Sequence, residues 1–131
     1  MTAIMKGVRV VEVSEHAFLP AAGALLSDWG YLVQRARTAS EALAAFETVT
    51  GRVDLIFADY HLVRDDGISV IGKLRKRARR HIPAVLITAD RTPAVADLAL
   101  AHDIHVLRKP VKPAALRAAI AHVIIRAEAA E

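Results

Sequence analysis

The sequence predicts a doubly wound α/β domain, and three observations carry that reading. Apolar runs of strand length recur five times, alanine-rich segments with helical spacing separate them, and the central runs are apolar throughout. Alternating units of this kind build a parallel sheet with helices on both sides, so its inner strands meet no water and need not alternate. A chain of 131 residues, 54% hydrophobic and 24% charged, has the size and the apolar content of one packed domain. We expect a single domain over residues 1–131, with its core over about 7–127.

The first strand is expected at Val8 to Val13, followed by a helix at Phe18 to Trp29 that Gly30 stops. Tyr31 to Ala36 forms the second strand, and Thr38 with Glu41 resembles a capping box for a helix at Ser40 to Thr48. The third strand, Val53 to Ala58, reads VDLIFA. After it, Asp65 and Asp66 ahead of Gly67 shape a loop and cap a helix at Ile68 to Arg80. The fourth strand, AVLIT at Ala84 to Thr88, leads to a helix at Val95 to His102 with Pro93 in its first turn. His105 to Leu107 is the fifth strand, and Pro113 opens a last helix at Ala114 to Arg126, beyond which AEAAE is expected to fray.

Composition removes several classes of function. Without cysteine there is no disulfide framework, thiolate metal site or cysteine nucleophile, and a reducing compartment such as the cytoplasm is the expected location. The opening stretch is broken by Lys6, Arg9 and Glu12, so it reads neither as a signal peptide nor as a membrane span. The net charge of +4 owes much to one run, Lys73 to Arg80, at the end of a predicted helix. There cations complement the helix dipole, so the run is expected to be a solvated helix end and nucleic acid is not an expected partner. His16, His61, His81, His102 and His122 show no common metal-ligand spacing and are expected at the surface.

In an open parallel sheet, side chains just past the carboxyl ends of the strands converge on one edge. Asp59 follows VDLIFA, Thr88 ends AVLIT, Asp90 lies two residues further on, and Lys109 follows HVLR. A carboxylate, a hydroxyl and an ammonium brought together from three strands suit an acyl phosphate. The carboxylate attacks phosphorus, Lys109 neutralises a phosphoryl oxygen, and Thr88 donates to another. A bond that Thr88 makes only when phosphate is present would also act as a switch.

The stretches DLIFADYHLVRDDG, PAVLITAD and VLRKPVKP resemble the receiver domains of response regulators and hybrid sensor kinases, over nearly the whole chain. SDWGY, ADYHL and VLRKPVKPAALRAAI are closest to the receiver at the carboxyl end of hybrid histidine kinases. The resemblance implies a flavodoxin-like (βα)5 sandwich of strand order 2-1-3-4-5. It makes Asp59 the phosphoacceptor, Thr88 the switch hydroxyl and Lys109 the phosphate-binding lysine. It also implies a histidine kinase or histidine phosphotransfer protein as partner, with a homodimer as a further expectation and no enzymatic activity beyond the turnover of its own aspartyl phosphate.

The first strand departs from that pattern. The family carries two adjacent acids there to hold Mg²⁺, whereas this chain reads VVEVSEHAF. A gap-free alignment puts Val13 and Ser14 at the acid positions, and one inserted residue puts Glu12 and Val13 there instead. The remaining metal donors would be Asp59, the His61 backbone carbonyl, and Glu12 or Glu15. Mg²⁺ binding should therefore be weakened and phosphorylation impaired. The alternative is a pseudo-receiver that binds proteins independently of phosphate. In the fifth strand Val106 stands where many receivers have an aromatic switch, and His105 beside it is expected to face solvent. A cobalamin-binding domain is rejected because Arg64 stands where its D-x-H-x-x-G loop needs glycine, and a dinucleotide-binding fold because SEHAFLP has no glycine.

Overall fold

The computed structural model describes residues 8–14, 25–48 and 52–130. Five strands, β1 (Arg9–Val13), β2 (Leu32–Ala36), β3 (Leu55–Asp59), β4 (Ala84–Thr88) and β5 (His105–Arg108), alternate with four bounded helices. These are α1 (Ala39–Thr48), α2 (Gly67–Ala78), α3 (Pro93–Ala101) and α4 (Pro113–Ala130). Residues 25–28 are also helical and belong to the helix expected at Phe18 to Trp29, whose earlier part lies outside the described residues. Every strand pairing is parallel and the order is β2-β1-β3-β4-β5, as expected.

The sheet is inside because its residues leave it no wet face. Val11, Val13, Ile56, Ala58 and Leu86 pack on one side against Ala42, Ile71, Leu74, Val95 and Ala99, from α1, α2 and α3. Val10, Leu55, Phe57, Val85 and Ile87 pack on the other against Leu26, Leu116 and Ile120. All residues of β3 and β4 are buried, so the polar side chains that end them, Asp59 and Thr88, are carried to the carboxyl edge by the apolar residues behind them.

The boundary signals act largely as the sequence suggests. Gly30 has φ of 92° and, with Tyr31, donates backbone N–H groups to the carbonyls of Ser27 and Leu26, a Schellman closure that glycine makes without strain. Thr38 Oγ1 accepts from Glu41 N–H at 3.1 Å, while Glu41 reaches back to the N–H of Arg37 at 3.3 Å, one residue earlier than a standard capping box. Asp66 caps α2 by accepting from Ser69 N–H at 2.8 Å.

Three expectations are corrected. β3 starts at Leu55 rather than Val53 and includes Asp59. The helix at the carboxyl end does not fray after Arg126; α4 continues to Ala130, because the added residues are good helix formers with no proline or glycine to stop them. The basic run is not simply a solvated helix end. Helix α2 stops at Ala78, with Arg79 left-handed at φ of 55°, and Arg75 and Arg80 turn inward. Arg75 donates to three carbonyls, Ile82 O at 2.9 Å, His102 O at 2.6 Å and Asp103 O at 3.0 Å, joining the approach to β4 to the end of α3. Arg80 reaches the Val53 carbonyl, Lys73 pairs with Asp65 at 2.6 Å, and Arg77 with Glu47 at 3.3 Å. Among the described residues, no helix is long and apolar enough to cross a membrane.

Candidate functional site

Asp59 is only 4% exposed at the carboxyl edge of β3. Its Oδ2 accepts from the Ser14 hydroxyl at 3.2 Å, and Lys109 Nζ stands 3.4 Å from its Oδ1. Lys109 is held there by its own backbone, whose N–H donates to the Thr88 carbonyl at 2.9 Å, and its peptide bond to Pro110 is cis. A buried carboxylate thus has an ammonium on one oxygen and a neutral donor on the other, which is the environment of a nucleophile whose charge is offset but not quenched.

Thr88 is buried beside this edge, but its hydroxyl is turned to its own loop, where it accepts from Asp90 N–H at 2.9 Å. Asp90 organises that loop. Its carboxylate accepts from Thr92 N–H at 2.8 Å and Thr92 Oγ1 at 2.7 Å, bonds that hold its pKa below the ordinary carboxylate range. Arg108 donates to the Asp90 carbonyl at 2.6 Å, and His61 Nε2 lies 4.0 Å from its carboxylate, bridging the loops that follow β3 and β4.

The sequence did not single out Gly67. A Cβ at this position would lie 2.3 Å from the Asp59 carbonyl oxygen and 2.6 Å from Leu86 Cδ1, so only glycine lets the start of α2 come this close to the strand end. Its N–H donates to the Tyr60 carbonyl at 2.9 Å, folding the intervening loop back beside Asp59. The available signal was a glycine opening a helix right after its cap, where propensity alone disfavours it.

The register of β1 settles which residues stand beside Asp59. Glu12 pairs with Phe57 and Val13 with Ala58, so the next residue, Ser14, is the one at the edge. Val13 points into the core and offers no donor. Glu12 lies beneath the edge with its side chain 6% exposed, 3.6 Å from Arg35, and neither carboxylate oxygen has a hydrogen-bond partner among the described residues. Glu15 lies outside the described residues. Among those described, no group of three or more His, Asp or Glu is arranged to hold an ion. His105 is not solvent-facing as expected: it is half-buried against His122, while Val106 packs on the core.

Burial pushes the Glu12 carboxyl above the ordinary range, with Arg35 opposing and Asp59 adding to the shift. A folded value above the unfolded one means that the native state holds this proton more tightly. The resulting stabilisation is complete below the unfolded pKa and is lost as pH rises through the folded one. Glu12→Gln should therefore flatten the pH profile of stability above the ordinary carboxylate range and stabilise the protein at pH 7 by about 1 kcal/mol. Urea unfolding across that range checks this, and an unchanged profile would place the pH dependence elsewhere.

Comparison with known proteins adds family and fold. The family model described as the response regulator receiver domain matches residues 8–121. Among solved structures, a Vibrio cholerae chemotaxis protein, CheY4, is 23% identical with a TM-score of 0.80, covering 89% of this chain and 98% of that one. A response regulator receiver domain protein from Clostridium thermocellum is 21% identical with a TM-score of 0.82, covering 95% and 99%. A CheY-like receiver domain protein from Methanospirillum hungatei is 24% identical with a TM-score of 0.81, covering 96% and 100%. Comparison with curated proteins gives no match.

Proposed function

Since the chain belongs to the response regulator receiver domain family, we propose that it is a phosphorelay receiver with Asp59 at the phosphoacceptor position and with impaired Mg²⁺-dependent phosphorylation. Receivers of two-component signalling are signalling modules rather than enzymes of metabolism. The finer reading rests on one observation: the β1 side chain bonded to Asp59 is the hydroxyl of Ser14, where the family has a carboxylate.

The donors do not fit Mg²⁺ well. The ion takes near-octahedral oxygen coordination and is usually retained by carboxylates, but Val13 offers nothing, Ser14 is neutral, and Glu12 lies buried beneath the edge facing Arg35. Phosphoryl transfer depends almost wholly on positioning and on the neutralisation of charge, and Lys109 is the cation paired with Asp59. In this reading the Asp59 carboxylate attacks phosphorus, the donor's leaving group departs with its electron pair, and Lys109 receives a phosphoryl oxygen. Thr88 shares its hydroxyl with the Asp90 amide, so drawing that hydroxyl toward a phosphoryl group would carry the following loop with it. A histidine kinase or histidine phosphotransfer protein in the cytoplasm is the proposed partner.

The test compares wild type with the Val13→Asp, Ser14→Asp double variant, using acetyl phosphate or beryllofluoride with Mg²⁺ and reading Asp59 modification by mass and Trp29 fluorescence. Wild type should stay largely unmodified, and the double variant should react on the order of 10²-fold faster. Ready modification of wild type would overturn the impairment. A folded double variant that still fails to react would favour the pseudo-receiver, which binds its partner whatever the state of Asp59.

A further inference from the structure

At the opposite end of the sheet from Asp59, where β5 begins, His105 faces His122 of α4 across a groove of about 650 Å³. The two ring centres are 5.4 Å apart and the planes are inclined by 52°. Neither ring makes a hydrogen bond or ion pair with another described residue. His81, in the same groove, is by contrast bonded to Asp103 at 2.9 Å.

We infer that His105 and His122 form a two-imidazole site for a borderline transition-metal dication, for which Zn²⁺ is the probe. Two imidazoles bound to one tetrahedral ion at about 2.0–2.1 Å place their ring centres about 5 Å apart. The observed spacing is close to that value. Ring packing alone is the competing account, and the metal titration separates the two.

The surroundings favour the ligand form. Burial, and then the neighbouring His122, hold the pKa of His105 below the ordinary histidine value, and imidazole binds metal in its neutral form. No third protein donor joins the pair among the described residues, so water completes the coordination, and the open groove has room for it. His105 starts a strand and His122 lies on an exposed turn of α4, so an ion between them would fasten that helix to the edge of the sheet.

The experiment is a calorimetric and thermal titration of the whole chain with ZnCl₂ at pH 7.5, with MgCl₂ as control. Zn²⁺ at tenfold excess over its dissociation constant should raise Tm by roughly 3–6 °C, and Mg²⁺ should not. The effect should vanish in His122→Gln and in His105→Gln, and persist in His81→Gln. His122 is exposed, so its variant should fold and can decide the question alone. No binding by wild type, binding retained in His122→Gln, or binding abolished in His81→Gln while His122→Gln still binds would each overturn the site.

Discussion

Gly67→Ala should destabilise the protein by about 3 kcal/mol or more, a large part of the stability of an ordinary domain. The added methyl meets the backbone of Asp59 at 2.3 Å, and backbone at a buried strand end cannot move aside as a flexible side chain can. Relief requires the start of α2 to lift away, which takes with it the Gly67 to Tyr60 hydrogen bond and the loop beside Asp59. Gly72 provides the control within the same helix. A Cβ there meets nothing within 4 Å, so Gly72→Ala should stabilise by roughly 0.5–1 kcal/mol through helix propensity. Opposite shifts of the urea midpoint in the two variants are the expected result, and equal shifts would remove the close-approach account of Gly67.

Arg75→Ala should cost about 2–3 kcal/mol, more than any other change in the basic run. One guanidinium satisfies the carbonyls of Ile82, His102 and Asp103, and its removal leaves them without that donor. Arg75→Lys should not restore the loss, because an ammonium lacks the planar fork that reaches several acceptors at once. Arg77, paired with an exposed glutamate, should change stability by less than about 0.5 kcal/mol when replaced by alanine. Thermal unfolding of the three variants separates the clamp from a general effect of charge.

The sheet was legible because VDLIFA and AVLIT have no polar face to turn outward, and its order was legible through the resemblance. Asp59 and Lys109 were legible because each follows an apolar strand, and strand ends meet at one edge. The register of β1 was not, since it takes the pairing of Val13 with Ala58 to bring Ser14, rather than Glu12, beside Asp59. Gly67, the Arg75 clamp and the meeting of His105 with His122 were hidden for a common reason. Each is a contact between segments distant along the chain, and no local periodicity reports how closely two backbones approach or which carbonyl an arginine finds.

The inward turn of Arg75 and Arg80 also changes what the pI of about 9.9 means. Of the six basic side chains between Lys73 and Arg80, four are engaged by carboxylates or carbonyls of the protein, leaving Lys76 and Arg79 exposed without such partners among the described residues. A polyanion approaching this face would meet four exposed cations, Lys73, Lys76, Arg77 and Arg79, two of them already paired with carboxylates, rather than six, giving a shallower dependence of affinity on salt. Part of the formal positive charge of this run is thus internal mortar, supplied by Arg75 and Arg80, and the isoelectric point overstates the attraction it exerts on other molecules.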